Sequence, residues 1–158
     1  MNTLEVLQKN LAHLSRTHPK RRAAALPAMQ NLQAELGYLD DTAMTKLAQI
    51  TGLSTTELEE LATFYSLIYR RPPGRHVVQI CDSVCCNMRG ADQLLVSAEK
   101  YLHRPLGAVT PDGALSVLPS ICLGLCDKAP AALVDGEALG PLNNASLEAL
   151  LQRLQKGD

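Results

Sequence analysis

The chain has 158 residues, 46% of them apolar and 20% charged, enough to bury one good core, or one core with a helical extension, and too few for two large domains. Its net charge is −1, with 8 basic against 7 acidic residues up to Gly74 and 7 against 9 after it, so it has no basic field for nucleic acid or anionic lipid. No apolar run approaches the ~20 residues of a membrane span, and Met1-Asn2-Thr3-Leu4-Glu5 lacks the charged-then-apolar order of a signal peptide. A cytoplasmic protein without membrane insertion is therefore expected.

Leu4, Leu7, Leu11 and Leu14 recur at helical spacing and predict an amphipathic helix ended by Thr17-His18-Pro19. Lys20-Arg21-Arg22 reads as a solvated helix start. A second helix is predicted over Arg22 to Leu36 with the stripe Leu26, Met29, Leu32 and Leu36, Gly37 as its stop, and Pro27 either near its beginning or at a kink. Asp40 or Asp41 caps a third helix carrying Met44, Leu47, Ala48 and Ile50 to Gly52. Ser54-Thr55-Thr56-Glu57 has the spacing of a capping box, with Leu58, Leu61 and Ala62 behind it and Phe64 and Tyr65 after.

Arg70-Arg71-Pro72-Pro73-Gly74 breaks the periodicity, dividing the chain into a helical region, 1–72, and a second domain, 73–158. Beyond it the pattern changes type. Val77, Val78 and Ile80 predict a strand that ends on Cys81, and Ala91 to Leu102 predicts a helix with Leu94, Leu95, Ala98 and Leu102 inward. The turn Thr110-Pro111-Asp112-Gly113 precedes a strand near Leu115 to Leu118. Ala131 to Val134, Asp135-Gly136 and Glu137 to Leu139 form a hairpin. A last helix starting at Asn144 or Ser146 bears Leu147, Leu150, Leu151 and Leu154. The expected fold class is α/β: a small N-terminal helical bundle, followed by an order of strands and helices that resembles a small thioredoxin-like sandwich with its cysteines on loops at one end of the sheet.

All five cysteines lie in two stretches, Cys81-Asp82-Ser83-Val84-Cys85-Cys86 and Cys122-Leu123-Gly124-Leu125-Cys126. In a reducing compartment an odd number of thiols makes a poor disulfide framework, whereas two clips on turns can surround a soft metal. Structural zinc favours gaps of two or four residues between paired ligands, and the three-residue gap of Cys122 and Cys126 suits it less. An iron-sulfur centre tolerates wider gaps, because a 2Fe-2S rhomb keeps its ligand pairs apart. Buried or redox-active thiols are a third reading. Gly124 lets the backbone turn and brings amide N–H groups toward sulfur, which stabilises anionic thiolates and raises the potential of an iron-sulfur centre. Five cysteines for four places leave one over: symmetry of the gaps pairs Cys81 with Cys85, the alternative pairs Cys81 with Cys86, and spacing leaves both open.

Cys81-x-Ser83-x-x-Cys86 followed by Cys122-Leu123-Gly124-x-Cys126-x-x-Ala129-Pro130 resembles the signature of the thioredoxin-fold 2Fe-2S subunit of respiratory complex I, the E subunit of NADH:quinone oxidoreductase, with relatives in NAD-reducing hydrogenases and NAD-dependent formate dehydrogenases. Thr63-Phe64-Tyr65 and Thr110-Pro111-Asp112-Gly113 match further landmarks of that family. The resemblance spans almost the whole chain. It implies that Cys81, Cys86, Cys122 and Cys126 hold one 2Fe-2S cluster and that Cys85 is a small buried side chain. It also implies a partner subunit that binds FMN and NADH, with which the cluster exchanges electrons, in a peripheral arm on the cytoplasmic side of the membrane. The chain has no Gly-x-Gly-x-x-Gly loop after a strand, so an electron-carrying subunit of an NADH-oxidising oxidoreductase without a substrate site of its own is expected.

Two other classes compete. Ala48-x3-Gly52-x5-Leu58 has the spacing of a helix-turn-helix, but its recognition helix would carry Glu57, Glu59 and Glu60 and no Lys or Arg, which repels phosphate. A free thioredoxin-like ferredoxin would work without a permanent partner, while four extra helices fit either a clasp for another subunit or a cover for the sheet. His13, His18, His76 and His103 lack clip spacing and read as surface or cap residues. Lys128 reads as an exposed neighbour of the second clip, and Met29 and Met44 as core.

Overall fold

The computed structural model describes residues 21–157, and the expectations for Leu4 to Leu14, His13, His18 and Lys20 lie outside them. The chain divides between Pro72 and Pro73 into two compact units.

In the first unit, α1 (Arg21–Leu36), α2 (Asp41–Thr51) and α3 (Thr55–Phe64) pack through small and aliphatic side chains. Asp40 caps α2, its Oδ1 accepting from Ala43 N–H at 2.7 Å, and Gly52 ends it in the left-handed region at φ 69°. The capping box at α3 is complete: Glu57 N–H donates to Ser54 Oγ at 3.2 Å and Ser54 N–H to Glu57 Oε2 at 2.9 Å. The face of α1 differs from the expected stripe. Ala24, Ala25 and Ala28 are buried together with Met29 and Leu32, while Leu26 is only partly buried and Leu36 lies in the open at 44%. Alanines let neighbouring helices approach closely, so the inward face follows the small residues rather than the largest ones. Pro27 stands inside the helix.

Arg70 closes this unit. Its Nη2 donates to Asp41 Oδ1 at 2.7 Å, its Nε to both oxygens of Glu59 at 3.0 Å, and its Nη1 to the Leu39 carbonyl. Arg22 Nη2 donates to Glu60 at 3.1 Å. The acidic face of α3 is thus engaged by arginines of the same unit, which disposes of the helix-turn-helix reading on structural as well as electrostatic grounds.

The second unit is a four-stranded mixed sheet in the order β2-β1-β3-β4, with strands β1 (His76–Cys81), β2 (Leu115–Ser120), β3 (Ala132–Val134) and β4 (Glu137–Leu139). β1 and β2 are parallel and therefore need a crossover, supplied by the short α4 (Val84–Asn87) and by α5 (Ala91–Leu102). β3 runs antiparallel to β1, and β4 antiparallel to β3. The terminal α6 (Asn144–Lys156) opens on an Asn143–Ser146 capping box. Helices α5 and α6 pack on each other and on one face of the sheet, where Val78, Ile80, Leu115 and Val117 meet Leu94, Leu147, Leu151 and Leu154. Each fully buried leucine of this kind contributes about 1.5–3 kcal/mol. Strand alternation sends Val77, Gln79 and Cys81 to the opposite face. Among the described residues no helix is long and apolar enough to cross a membrane.

Candidate metal centre

Parallel pairing puts the ends of β1 and β2 side by side, with Cys81 opposite Ser120, and Asp82 N–H donates to the Ser120 carbonyl at 2.9 Å. Cys122 is two residues past that point. The two clips therefore leave the sheet from the same end, and strand register alone joins segments some forty positions apart in sequence. On the other side of β1, Cys81 N–H donates to the Ala131 carbonyl at 3.0 Å, so the strand is held right up to its last residue.

After Cys81 the chain makes the single helical turn α4. A turn of helix separates consecutive side chains by about 100°, so Cys85 and Cys86 face different ways. Cys86 turns inward, at 2% exposure, into a small cluster with Cys81, Ala91, Ala129 and Ala131, against which Leu123 and Leu125 pack. Cys85 is exposed. The expectation that Cys85 is a small buried side chain is thus corrected: the inward position of the turn belongs to Cys86. Cys122 and Cys126 are also exposed, the latter opening a 3-10 turn, Cys126–Lys128.

The thiols act on one another across the two clips. Burial by itself raises the Cys81 thiol, but the amide N–H groups of Ser83 and Leu123 and a hydrogen bond with Cys86 bring it below the ordinary thiol value. Burial pushes Cys86 up; the Ala131 amide opposes this, and the thiols of Cys81 and Cys122 add to it. Cys126 is pushed up to about 11, first by the thiol of Cys85 and then by that of Cys122. Gly124, at φ 75°, turns its N–H onto Cys122 Sγ at 3.4 Å. The left-handed conformation turns the chain onward toward Cys126, and glycine adopts it freely.

Thiols gathered in two neighbouring clips and supplied with backbone N–H donors from Ser83, Leu123 and Ala131 are suited to a positively charged metal centre that takes them as thiolates. Two clips that leave the sheet side by side can each offer sulfurs to a two-iron centre, in which each iron takes its own ligands. The donor set fits an iron-sulfur cluster.

The profile of the thioredoxin-like [2Fe-2S] ferredoxin family matches residues 11–155. The chain belongs to this family. Other members resemble it over most of their length. The E subunit of the NADH-quinone oxidoreductase of Pseudomonas aeruginosa is 34% identical over 148 residues, 94% of this chain and 89% of that protein. The E subunit of the Escherichia coli NADH-quinone oxidoreductase is 38% identical over 132 residues, 84% of this chain and 80% of that protein. Among solved structures, an NAD+-reducing [NiFe]-hydrogenase in the air-oxidised state superposes with a TM-score of 0.70 at 29% identity, covering 84% of this chain. This chain spans 23% of that longer hydrogenase chain. The thioredoxin-like 2Fe-2S fold class expected from the cysteine signature is thereby established, as is the relationship to the E subunits of NADH-quinone oxidoreductases.

Outside the cysteines, His76 Nδ1 lies 2.7 Å from Asp135 Oδ2 at the far end of β1, away from the clips, and His103 is the left-handed cap of α5. Lys128 is exposed beside the second clip and Met29 and Met44 are buried. Sequence reasoning missed two features near the cysteine clips. One is the set of backbone donors from Ser83, Leu123 and Ala131, which leave no trace in side-chain identity. The other is Gln79, a buried polar residue on the same face of β1 as Cys81; its alternation with Ile80 was the available signal.

Proposed function

We propose that this protein is the electron-transfer component of the NADH dehydrogenase module of an NADH:quinone oxidoreductase. It holds one 2Fe-2S cluster on Cys81, Cys86, Cys122 and Cys126 and exchanges electrons with an FMN carried, together with the NADH site, by a partner subunit. The chain has no substrate-converting site of its own and works in a peripheral arm on the cytoplasmic side of the membrane. The observation that carries this reading is the match to the NADH-quinone oxidoreductase relatives along most of both chains, 94% of this one and 89% of the Pseudomonas aeruginosa protein. The choice of Cys86 over Cys85 is supported by burial: an inward thiol at 2% exposure stands with Cys81, while Cys85 faces out. When bound, the cluster supplies a one-electron relay, and this chain's residues position the thiolates and surround them with N–H donors.

A second reading has a specific observation behind it, the structural likeness to an NAD+-reducing hydrogenase. The same cluster would there serve a hydrogen-oxidising partner. Anaerobic purification with iron and sulfide analysis, EPR of the reduced protein and identification of co-purifying chains tests both. A 2Fe-2S signal with a flavin-binding subunit and quinone-reductase chains is expected; a hydrogenase large subunit among the partners selects the second reading, and a colourless protein holding zinc overturns both.

A further inference from the structure

Gln79 sits near the end of β1 at 3% exposure, and among the described residues its Nε2 is the buried side-chain polar atom that finds no hydrogen-bond partner. A buried carboxamide with an idle N–H is costly, and proteins rarely leave one unused. Its neighbours across the ladder, Leu118 and Leu133, are apolar and have no side-chain acceptor to offer. The same face of the same strand carries Cys81, two residues on. That spacing is about 6.6 Å along a strand, and strand side chains lean along the strand direction, so a change of rotamer brings the long Gln79 side chain toward the sulfur, to which it makes no hydrogen bond in this structure. Cys81 already gathers N–H donors from Ser83 and Leu123.

We propose that Gln79 is a positioning residue of the metal centre whose Nε2–H donates a hydrogen bond to the Cys81 sulfur when that sulfur is a metal-bound thiolate, holding the cluster at a higher reduction potential. This rests on the reading of Cys81 as a ligand of a 2Fe-2S cluster. The physical basis is charge. One-electron reduction adds negative charge that spreads onto the sulfurs, so a donor aimed at sulfur binds the reduced form more strongly than the oxidised form. Removing the donor leaves the oxidised form almost untouched and weakens the reduced one.

The test is an EPR-monitored redox titration of the full-length, anaerobically prepared protein, with dithionite as reductant, on the wild type, Gln79→Met and Gln79→Glu. Methionine keeps the length and drops the donor. A tenfold loss in the reduction equilibrium is expected, which for a one-electron couple is ~59 mV lower potential. Glutamate, which places an acceptor where the donor was, lowers it further. Wild-type protein grown with side-chain 15N glutamine is expected to show a 15N hyperfine coupling in the pulsed EPR spectrum of the reduced cluster, absent in Gln79→Met.

An unchanged potential in Gln79→Met with raised thermal stability marks Gln79 as a mere misfit in the core and overturns the proposal. A lowered potential with no 15N coupling in the wild type overturns the direct bond. Should the variants lose the cluster, the 15N measurement on the wild type decides alone. A wild type with no 2Fe-2S signal at all is the failure of the proposed function itself and is recognised by that.

Discussion

Gly74 precedes β1, and a methyl group at its position would meet backbone rather than side chain. An added Cβ would stand 2.7 Å from Leu115 Cα and 2.7 Å from Ser116 N, both on β2. Backbone in a parallel ladder cannot rotate aside, so Gly74→Ala forces β2 away from β1, at about 1–3 kcal/mol for overpacking. The same movement breaks the bond from Gly74 N–H to Ser116 Oγ, 2.8 Å long and buried, for roughly a further 1 kcal/mol. A total of about 2–4 kcal/mol, at about 4–8 °C per kcal/mol for a domain of this size, lowers the melting midpoint by at least about 8 °C. The register at stake is the one that sets Cys81 beside Ser120. Thermal unfolding by circular dichroism, on cluster-free protein under thiol reductant, reads the change without interference from metal loss. Gly136→Ala is the comparison: φ is 89° there, with nothing within 4 Å of an added Cβ, so only the left-handed conformation is penalised, at about 1–2 kcal/mol. If Gly74→Ala melts no lower than Gly136→Ala, close backbone approach is not what this glycine provides.

Cys85→Ala is expected to keep the 2Fe-2S EPR signal and Cys86→Ala to lose it; the reverse pattern sinks the assignment of the inward thiol. Gly140→Ala drives a methyl into the Lys128 carbonyl and to 3.2 Å from Lys128 Cβ, so the turn after Cys126 shifts. Expected are about 1–3 kcal/mol of lost stability and faster cluster loss to an iron chelator, and a loss rate equal to wild type would contradict it. The carboxyl of Asp112 is held below its ordinary value first by the Thr110 hydroxyl and then by the Ala114 N–H, and that of Glu57 by the Ser54 N–H and hydroxyl. Both pKa values are depressed, so their contribution is complete above the ordinary carboxyl range and is lost as pH falls through the folded values. Urea midpoints should therefore drop on acidification below about pH 4, less steeply in Asp112→Asn; an identical slope in the variant would exclude Asp112 from the effect.

What could be read from the sequence was set by period and length. Leu147, Leu150, Leu151 and Leu154 repeat at helical spacing, and all four are buried. Ala91 to Leu102 came out to the residue because glycine stands before it and its stripe is unbroken. Ser54 and Glu57 announced their capping box by spacing alone. The inward face of α1 was less legible, since Ala24, Ala25 and Ala28 line it and a stripe sought among large side chains falls on Leu26 and Leu36 instead. Helix α4, at four residues, is too short to show any period. Without it Cys85 and Cys86 differ only by position in a string, and the exposure of Cys85 could not be foreseen. Strand register was equally hidden: nothing in local pattern pairs Cys81 with Ser120, a contact made by the crossover and the shared core beneath it.

The two halves of the cysteine set are held by different means, and this bears on how an electron carrier is built. Cys81 ends a central strand whose backbone is tied on both sides, through Cys81 N–H to Ala131 and Asp82 N–H to Ser120. Cys86 is fixed by burial against the same small residues. Cys122 and Cys126 lie in a loop open to solvent, yet the loop is not free. It leaves directly from β2, the Lys128 N–H donates to the Leu125 carbonyl at 3.0 Å, and Leu142 N–H donates to the Pro130 carbonyl at 2.8 Å just beyond it. Gly140 leaves the room in which Lys128 and Pro130 sit, which any side chain there would take. The proposed ligands would thus stay in place when the charge of the centre changes, because each hangs from an element anchored elsewhere. Of the proposed ligands, Cys81 and Cys86 meet the core while Cys122 and Cys126 are exposed, so the proposed electron exchange would take place at the end of the sheet from which both clips depart.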